Sequence, residues 1–301
     1  MMRAVKRIGR WATYAVLLAM LALLVPDAEH RQPQFELLKV ETAEAVDAGS
    51  SVLWLLALGS DARPGEPVLG SRSDAIQLIG INTKTGASTV IGIPRDSYVD
   101  IPGHGRDKIN AAMVFGGPQL TAQTVANMMG IQPDYVFVTS FRGLMHMAAS
   151  IGGIRVRVRW DVTTPVSHYQ PGMRHLDALE VLDFARIRHG LPGGDFDRSL
   201  DQSSLLRGGL RELLDRVRHQ GGYESAMYSF MRNVETDLSP AQLYRLGRAV
   251  LQAKPGLVRQ CVVPGGTGYV GAASVVFPDI GAARSLAVKV RKDATLNGPC
   301  F

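Results

Sequence analysis

Asp74-Ala75-Ile76-Gln77-Leu78-Ile79-Gly80-Ile81-Asn82, then Thr83-Lys84-Thr85-Gly86, then Ala87-Ser88-Thr89-Val90-Ile91-Gly92-Ile93 and Pro94-Arg95-Asp96, is the stretch that decides the fold class. Two β-rich runs joined by a short turn segment read as a hairpin, and Pro94 stops the second strand because it has no N–H for a ladder. Upstream, Ser51 to Leu58 is apolar enough for a buried strand, and Gly59-Ser60-Asp61 ends it with turn chemistry. Downstream the spacing becomes helical, from Lys108 to Phe115 and from Gln119 to Met129, with Gly116-Gly117-Pro118 as the break. A strand at Tyr135–Thr139, a helix at Phe141–Ser150 and a strand at Ile154–Val158 follow. This alternation predicts an α/β domain whose sheet is covered on both faces. Past Thr163 the pattern predicts a helix at Asp177–Phe184, a short strand at Ala185–Arg188 and a long helix from about Ser199 to Arg218. Helices at Tyr223–Asn233 and Ser239–Gln252 and a strand at Leu257–Val263 complete the reading.

The chain has 301 residues, room for one large domain with attachments or two small ones, and 46% hydrophobic with 20% charged content is ordinary for a globular protein. At the N-terminus, Arg3, Lys6, Arg7 and Arg10 precede an uncharged apolar run from Trp11 to Val25 closed by Pro26. That run lies between a cleavable signal peptide and a thin membrane span, since about 20 apolar residues cross the hydrocarbon core. No small-x-small cleavage site follows, which favours an uncleaved anchor; the cations before the run place the N-terminus inside and the rest outside. Residues 27–50 show little periodicity and read as a stalk. Cys261 and Cys300 are the only cysteines, and in an oxidising compartment they are candidates for one disulfide, closing a loop of about 40 residues; two independent thiols are the alternative.

A net charge of +6 implies an anionic partner: nucleic acid, phospholipid or a phosphorylated substrate. The arginines stand singly, without a basic run interleaved with aromatics, which argues against nucleic acid. There is no G-x-S-x-G elbow, no phosphate-binding P-loop and no zinc-type His pair. Instead, arginine and aspartate recur where strands end. Asp61 follows the first strand, Arg72 and Asp74 open the second, and Arg95-Asp96 follows the third. Neighbouring strand ends meet at one rim, so these side chains are expected to converge. Arg186 and Arg188, two apart on a strand, would point to one face and share an anion such as pyrophosphate, which a guanidinium matches bidentately. Arg198 and Gln202 share a face at the start of the long helix, whose N-terminus adds positive character, and Asp195 and Asp197 read as caps there. Asp61 and Asp74 are suited to holding Mg²⁺ or Mn²⁺.

At these residues the sequence resembles the LytR-CpsA-Psr family. The matching blocks are Leu58-Gly59-Ser60-Asp61-Ala62-Arg63-Pro64, Ser71-Arg72-Ser73-Asp74, Ile93-Pro94-Arg95-Asp96, Asp107-Lys108-Ile109-Asn110-Ala111-Ala112 and Phe115-Gly116-Gly117-Pro118. They continue with Ile151-Gly152-Gly153-Ile154, His175-Leu176-Asp177, Ala185-Arg186-Ile187-Arg188-His189 and Gly194-Asp195-Phe196-Asp197-Arg198, in the family's order. The resemblance implies a three-layer α/β/α sandwich with a central mixed sheet and a hydrophobic cleft for a polyprenyl tail, preceded by a membrane anchor. It implies transfer of a glycopolymer from a polyprenyl-pyrophosphate carrier to a sugar hydroxyl of peptidoglycan. By position, Arg72, Arg95, Arg186, Arg188, Arg198 and Gln202 fall at the pyrophosphate, Asp61 and Asp74 at the metal, and Asp74, Arg95 and Asp61 at the chemistry. Asp74 is the first choice for base or metal ligand, and Asp61 exchanges roles with it. Asp197 and Asp201-Gln202-Ser203 depart from the family's usual glycine and basic-Gln-Gln, and lower the local positive potential. The organisation expected is a tail and anchor at 1–26, a stalk at 27–50, a catalytic domain at 51–264 and a C-terminal tail at 265–301 tied back by the disulfide. A membrane-tethered binder or regulator that holds such a ligand without turnover is the competing reading.

Overall fold

A computed structural model describes residues 35–40, 51–63, 66–219 and 234–301. The opening stretch folds as expected. Strands β2 (Val52–Ser60), β3 (Ser73–Asn82) and β4 (Ser88–Gly92) pair antiparallel in sequence. Asn82 organises the β3–β4 turn: its Oδ1 accepts hydrogen bonds from the backbone N–H of Lys84 and of Thr85, each at 3.0 Å. Gly86 closes it at φ +75°, where a Cβ would lie 2.4 Å from the Gln252 carbonyl oxygen.

Four more strands complete a seven-stranded mixed sheet. Strand β7 (Tyr135–Thr139) runs parallel to β2, β1 (Phe35–Lys39) antiparallel to β7, β12 (Val234–Thr236) parallel to β1, and β13 (Val258–Val262) parallel to β4. The order is β12-β1-β7-β2-β3-β4-β13. The two-residue period of the strands sorts the core. Trp54, Leu56, Leu58, Ile76 and Leu78 form one buried cluster with Met113, Val125 and Met129 of α1 (Ala112–Met129) and Leu286 and Val290 of α6 (Ile280–Val290). Leu53, Ile81 and Tyr135 form another with Leu243 and Leu246 of α5 (Pro240–Gln252). Helix α4 (Asp195–His219) also lies against the sheet: Gln77 Nε2 donates to the Ser199 carbonyl at 3.0 Å, and Ser203 Oγ donates to Gln77 Oε1 at 2.7 Å. Trp54 fits because Gly80 faces it; a Cβ there would fall 2.6 Å from the indole.

A satellite cluster joins α2 (Phe141–Ser150), β8 (Ile154–Val158), β11 (Gly172–Leu176) and α3 (Ala178–Arg186) around Val156, Tyr169, Val181 and Phe184. Strands β9 (Val162–Thr163) and β10 (His168–Tyr169) pair beside it, and β5 (Tyr98–Ile101) with β6 (Gly105–Lys108) and β14 (Gly265–Val270) with β15 (Ala273–Pro278) form hairpins.

Several expectations are corrected. Ala185–Arg188 is not a strand: Ala178–Arg186 is helix, started by a capping box in which the Asp177 side chain accepts from the backbone N–H of Glu180 and the Glu180 side chain accepts from that of Asp177. Its buried Val181, Leu182, Phe184 and Ala185 carry helical spacing through the segment. Part of the expected stalk, Phe35–Lys39, is an inner strand of the sheet with Phe35 and Leu37 buried; five residues are too few to show a period. The expected C-terminal tail is a hairpin and a helix whose Ala283, Leu286, Ala287 and Val290 follow the i, i+3, i+4, i+7 rule. Lys108 ends a strand, and the helix after it starts at Ala112, with non-helical angles at Gly116 and Gly117 where a break was expected. The long helix starts at Asp195. The anchor and the helix expected at Tyr223–Asn233 lie outside the described residues, among which no helix is long and apolar enough to cross a membrane. Cys261 and Cys300 are joined by a disulfide, fastening the chain end to β13.

Candidate active site

The strand ends meet as the sequence pattern requires. Asp74, at the start of β3, accepts from Arg95 Nη1 on Oδ1 and from Arg188 Nη2 on Oδ2, the latter at 3.3 Å. Asp61, just past β2, is bonded to the Arg72 backbone and feels Asp74, Arg95 and Arg72. Burial, then the Asp74 carboxylate, push the Asp61 carboxyl above its ordinary range, and the Arg72 hydrogen bond and the two arginines oppose this. Arg198, only 4% exposed, pairs with Asp195 one turn earlier on α4. Burial is the larger influence on both partners, pushing Asp195 up and Arg198 down against the pull of their ion pair.

Arg186 and Arg188 reach this rim from the end of a helix rather than from one face of a strand. The Arg186 guanidinium lies 4.5 Å from the Phe141 ring centroid, a cation–π contact at the mouth of α2. Below it a cleft of about 40 Å³ is lined by Ala75, Phe141, Leu144, Leu182 and Ala185, and its polar lip carries Asp74, Arg186, Arg198 and Gln202. The Nε atoms of Arg95 and Arg198 are buried without a hydrogen bond among the described residues, which suits an anion with several oxygens.

Gln202 has a different character from the arginines. Its amide Nε2 donates to the Ala185 carbonyl at 3.1 Å and reaches the Asp74 carbonyl at 3.4 Å, so it ties α4 to α3 and β3. Asp197 and Asp201 share one cation, Arg159, which offsets part of the charge they bring to the rim. Arg159 Nη2 donates to Asp201 Oδ1 at 2.9 Å and to the Asp197 carbonyl at 3.0 Å, and Asp197 also accepts from the Gly193 N–H at 2.6 Å. Asp195 is the residue whose part the sequence understated, because its pairing with Arg198 is indistinguishable from a helix cap by spacing alone. Thr139, Ser140 and Phe141 at the cleft were not anticipated; the signal was Ser140, an N-cap accepting from the Gly143 N–H at 3.1 Å directly after β7.

Among the described residues no cluster of three His, Cys, Asp or Glu side chains forms a ready cation cage. Two neighbouring carboxylates, Asp61 raised by burial and then by Asp74, nevertheless fit Mg²⁺, which needs only one or two protein carboxylates when phosphate oxygens complete its shell. Arginines already engage both Asp74 oxygens, whereas Asp61 forms no ion pair among the described residues.

A mixed-sheet α/β domain with arginines and paired carboxylates on its rim, above an apolar cleft, defines a class of site suited to a phosphorylated amphiphile. The chain belongs to the LytR_cpsA_psr family, whose model matches residues 27–292. It is similar to the polyisoprenyl-teichoic acid–peptidoglycan teichoic acid transferase TagU of Bacillus anthracis, 31% identical over 191 residues, which are 63% of this chain and 62% of that relative. The match therefore spans less than two thirds of the relative's length. Among solved structures, "TagT bound to LI-WTA" is 25% identical with TM-score 0.67, covering 85% of this chain and 96% of that one. TagV of B. subtilis is 25% identical with TM-score 0.65, over 82% and 99% of the two chains.

Proposed function

We propose that this protein is a phosphotransferase that moves a glycopolymer from a polyprenyl-pyrophosphate carrier to a peptidoglycan sugar hydroxyl, working at the outer face of the cell membrane. The observation that carries the reading is Asp74 held between Arg95 and Arg188, beside Arg198, over a cleft floored by Leu144 and Leu182. The family membership and the similarity to TagU support it. The basic N-terminus followed by the apolar run Trp11–Val25 supports a single-pass anchor with the rest outside.

Arg95, Arg186, Arg188 and Arg198 neutralise the pyrophosphate and the charge that builds on the leaving polyprenyl phosphate, the largest contribution available in such transfers. One of the pair Asp61 and Asp74 would hold Mg²⁺ or Mn²⁺, which would supply further neutralisation of phosphate charge. The carboxylate left outside the metal shell takes the proton of the acceptor hydroxyl. The lipid enters between α2 and α3. Phe141, Leu144 and Leu182, which line the cleft, would take the first isoprene units of that lipid.

The test is transfer from a short-chain lipid-pyrophosphate donor to peptidoglycan with Mg²⁺ present. Wild type is expected to release polyprenyl phosphate, and Asp74→Asn to lose on the order of a hundredfold or more in rate. Tight donor binding without turnover under all metal conditions would replace the transferase by a binding protein.

A further inference from the structure

A second basic site lies away from the rim. On β8 the burial alternates strictly: Ile154, Val156 and Val158 enter the satellite core, so Arg155 and Arg157 project outward, with Arg159 next in the same register. Facing them, α4 presents Arg207 and Arg211. At 3.6 residues per turn these lie on the side of the helix opposite Arg198 and Gln202. Exposed Arg259 of β13 closes the arginine ring, and Gly298, Pro299 and Cys300 form a wall held by the Cys261 disulfide. The open groove between them has a volume of about 590 Å³, far roomier than the cleft at the rim.

The groove's chemistry narrows its occupant. Six arginines line it and no acidic residue does. The acids near it sit at its two ends: Glu212 and Asp215 pair with Arg155, and Asp201 with Arg159. Arg157, Arg211 and Arg259, between those ends, have no carboxylate partner among the described residues, and Arg207 spends only Nε, on the Pro255 carbonyl at 2.9 Å. No aromatic side chain lines the groove, so it lacks the stacking platform that a single-stranded nucleic acid requires. Arginines two apart on a strand stand about 7 Å from one another, a row that fits anions repeated along a flexible chain better than one compact ion. Arg159, bonded to Asp197 and Asp201, brings the end of the groove to the first turn of α4, where Arg198 stands.

We propose that this groove binds the donor's own polymer, an acidic chain with repeated phosphates, as it leaves the pyrophosphate site and passes round the start of α4. This deepens the transferase reading and rests on it. The proposal gives the enzyme a preference for phosphate-bearing over neutral polymer that the rim arginines alone do not supply.

Binding of fluorescent, lipid-free poly(glycerol phosphate) oligomers to the detergent-solubilised full chain tests it, with a dextran of equal length and an oligo-deoxythymidylate as the other probes. Expected are binding of the phosphate polymer that weakens steeply with salt and no measurable binding of dextran. The triple variant Arg157→Gln/Arg211→Gln/Arg259→Gln should bind roughly tenfold or more weakly, while its affinity for farnesyl pyrophosphate stays at the wild-type value. The matching triple lysine variant should keep most of the binding, which separates lost charge from a damaged fold. Arg186→Ala should show the converse pattern, losing farnesyl pyrophosphate and keeping the oligomer. Unchanged oligomer affinity in the triple glutamine variant, equal binding of dextran, or tighter binding of the oligonucleotide would each overturn the proposal. None of these readouts depends on turnover, so failure of the transferase reading shows separately, as absence of transfer by the wild type.

Discussion

Glu36 and Glu235 face each other across the parallel pair β1–β12, both bearing carboxylates at one level of the ladder. Burial, and next the Glu235 charge, push Glu36 from an ordinary 4.5 to about 7. A shift of about 2.5 pKa units, at about 1.4 kcal/mol each, corresponds to ~3.4 kcal/mol if fully expressed. The side chain is only half buried, and screening at such a site leaves roughly a third to a half, about 1–2 kcal/mol. Because the folded-state pKa is raised, Glu36's contribution is whole below pH 4.5 and is lost as pH rises through about 7. Glu36→Gln therefore should be neutral at pH 4.5 and stabilising by about 1–2 kcal/mol at pH 8, raising the melting temperature by about 2–8 °C. Urea unfolding of both proteins at pH 4.5, 6.5 and 8 measures this directly. A stability difference that does not change with pH would refute the raised Glu36 carboxyl on which the reasoning rests.

Three further outcomes are expected. Arg186→Ala and Arg188→Ala should each cut transfer on the order of a hundredfold while melting like wild type, whereas Arg284→Ala, whose guanidinium donates to the Asn127 carbonyl at 3.0 Å, should transfer normally; wild-type rates in both rim variants would show the site misplaced. Gln202→Leu should cost about 1–3 kcal/mol in thermal denaturation, by stripping the buried Ala185 carbonyl of its donor, and a stability equal to wild type would count against that bond. Cys261→Ser should lower stability by about 3–4 kcal/mol under oxidising conditions and make wild type and variant alike once a reductant is added, so a difference surviving reduction would point to packing instead.

What the sequence made legible follows from the length of each signal. The β2–β3–β4 meander was readable because ten residues of β3 bracket a turn whose chemistry Asn82 and Gly86 declare. Helix α1 was readable in outline because it is 18 residues long and Gly116-Gly117-Pro118 punctuates it, which marks the break even without a strong apolar stripe. Strand β1 was hidden because five residues, two of them buried, show no alternation until partners flank them on both sides. The last helix was overlooked for a different reason. Half of its buried face is alanine, Ala283 and Ala287, with only Leu286 and Val290 as larger side chains, and eleven residues carry few repeats of the period. At the site, the residue types carried the inference and the local geometry did not. Arg186 and Arg188 arrive at Asp74's rim, yet from a helix terminus, because the capping box at Asp177 extends helix through a run that also reads as strand. Arg159's pairing with Asp197 and Asp201 was beyond reach, since roughly forty residues separate it from them and no period connects the two segments.

Strand β13 joins the sheet parallel to β4, with Val258 to Val262 set beside Ser88 to Gly92. All five residues of β4 are buried in the finished protein. A chain made from its N-terminus must therefore carry β4 as an unpaired edge until some 170 residues more have been synthesised. Such an edge invites pairing with the same edge of another copy. The closing step is also slow in kind, because a parallel strand so distant along the chain meets its partner only after the intervening loop has been gathered in. A truncation just before Val258 leaves every element of the rim site present and the sheet open, so its product should accumulate as aggregate rather than as a weakened enzyme.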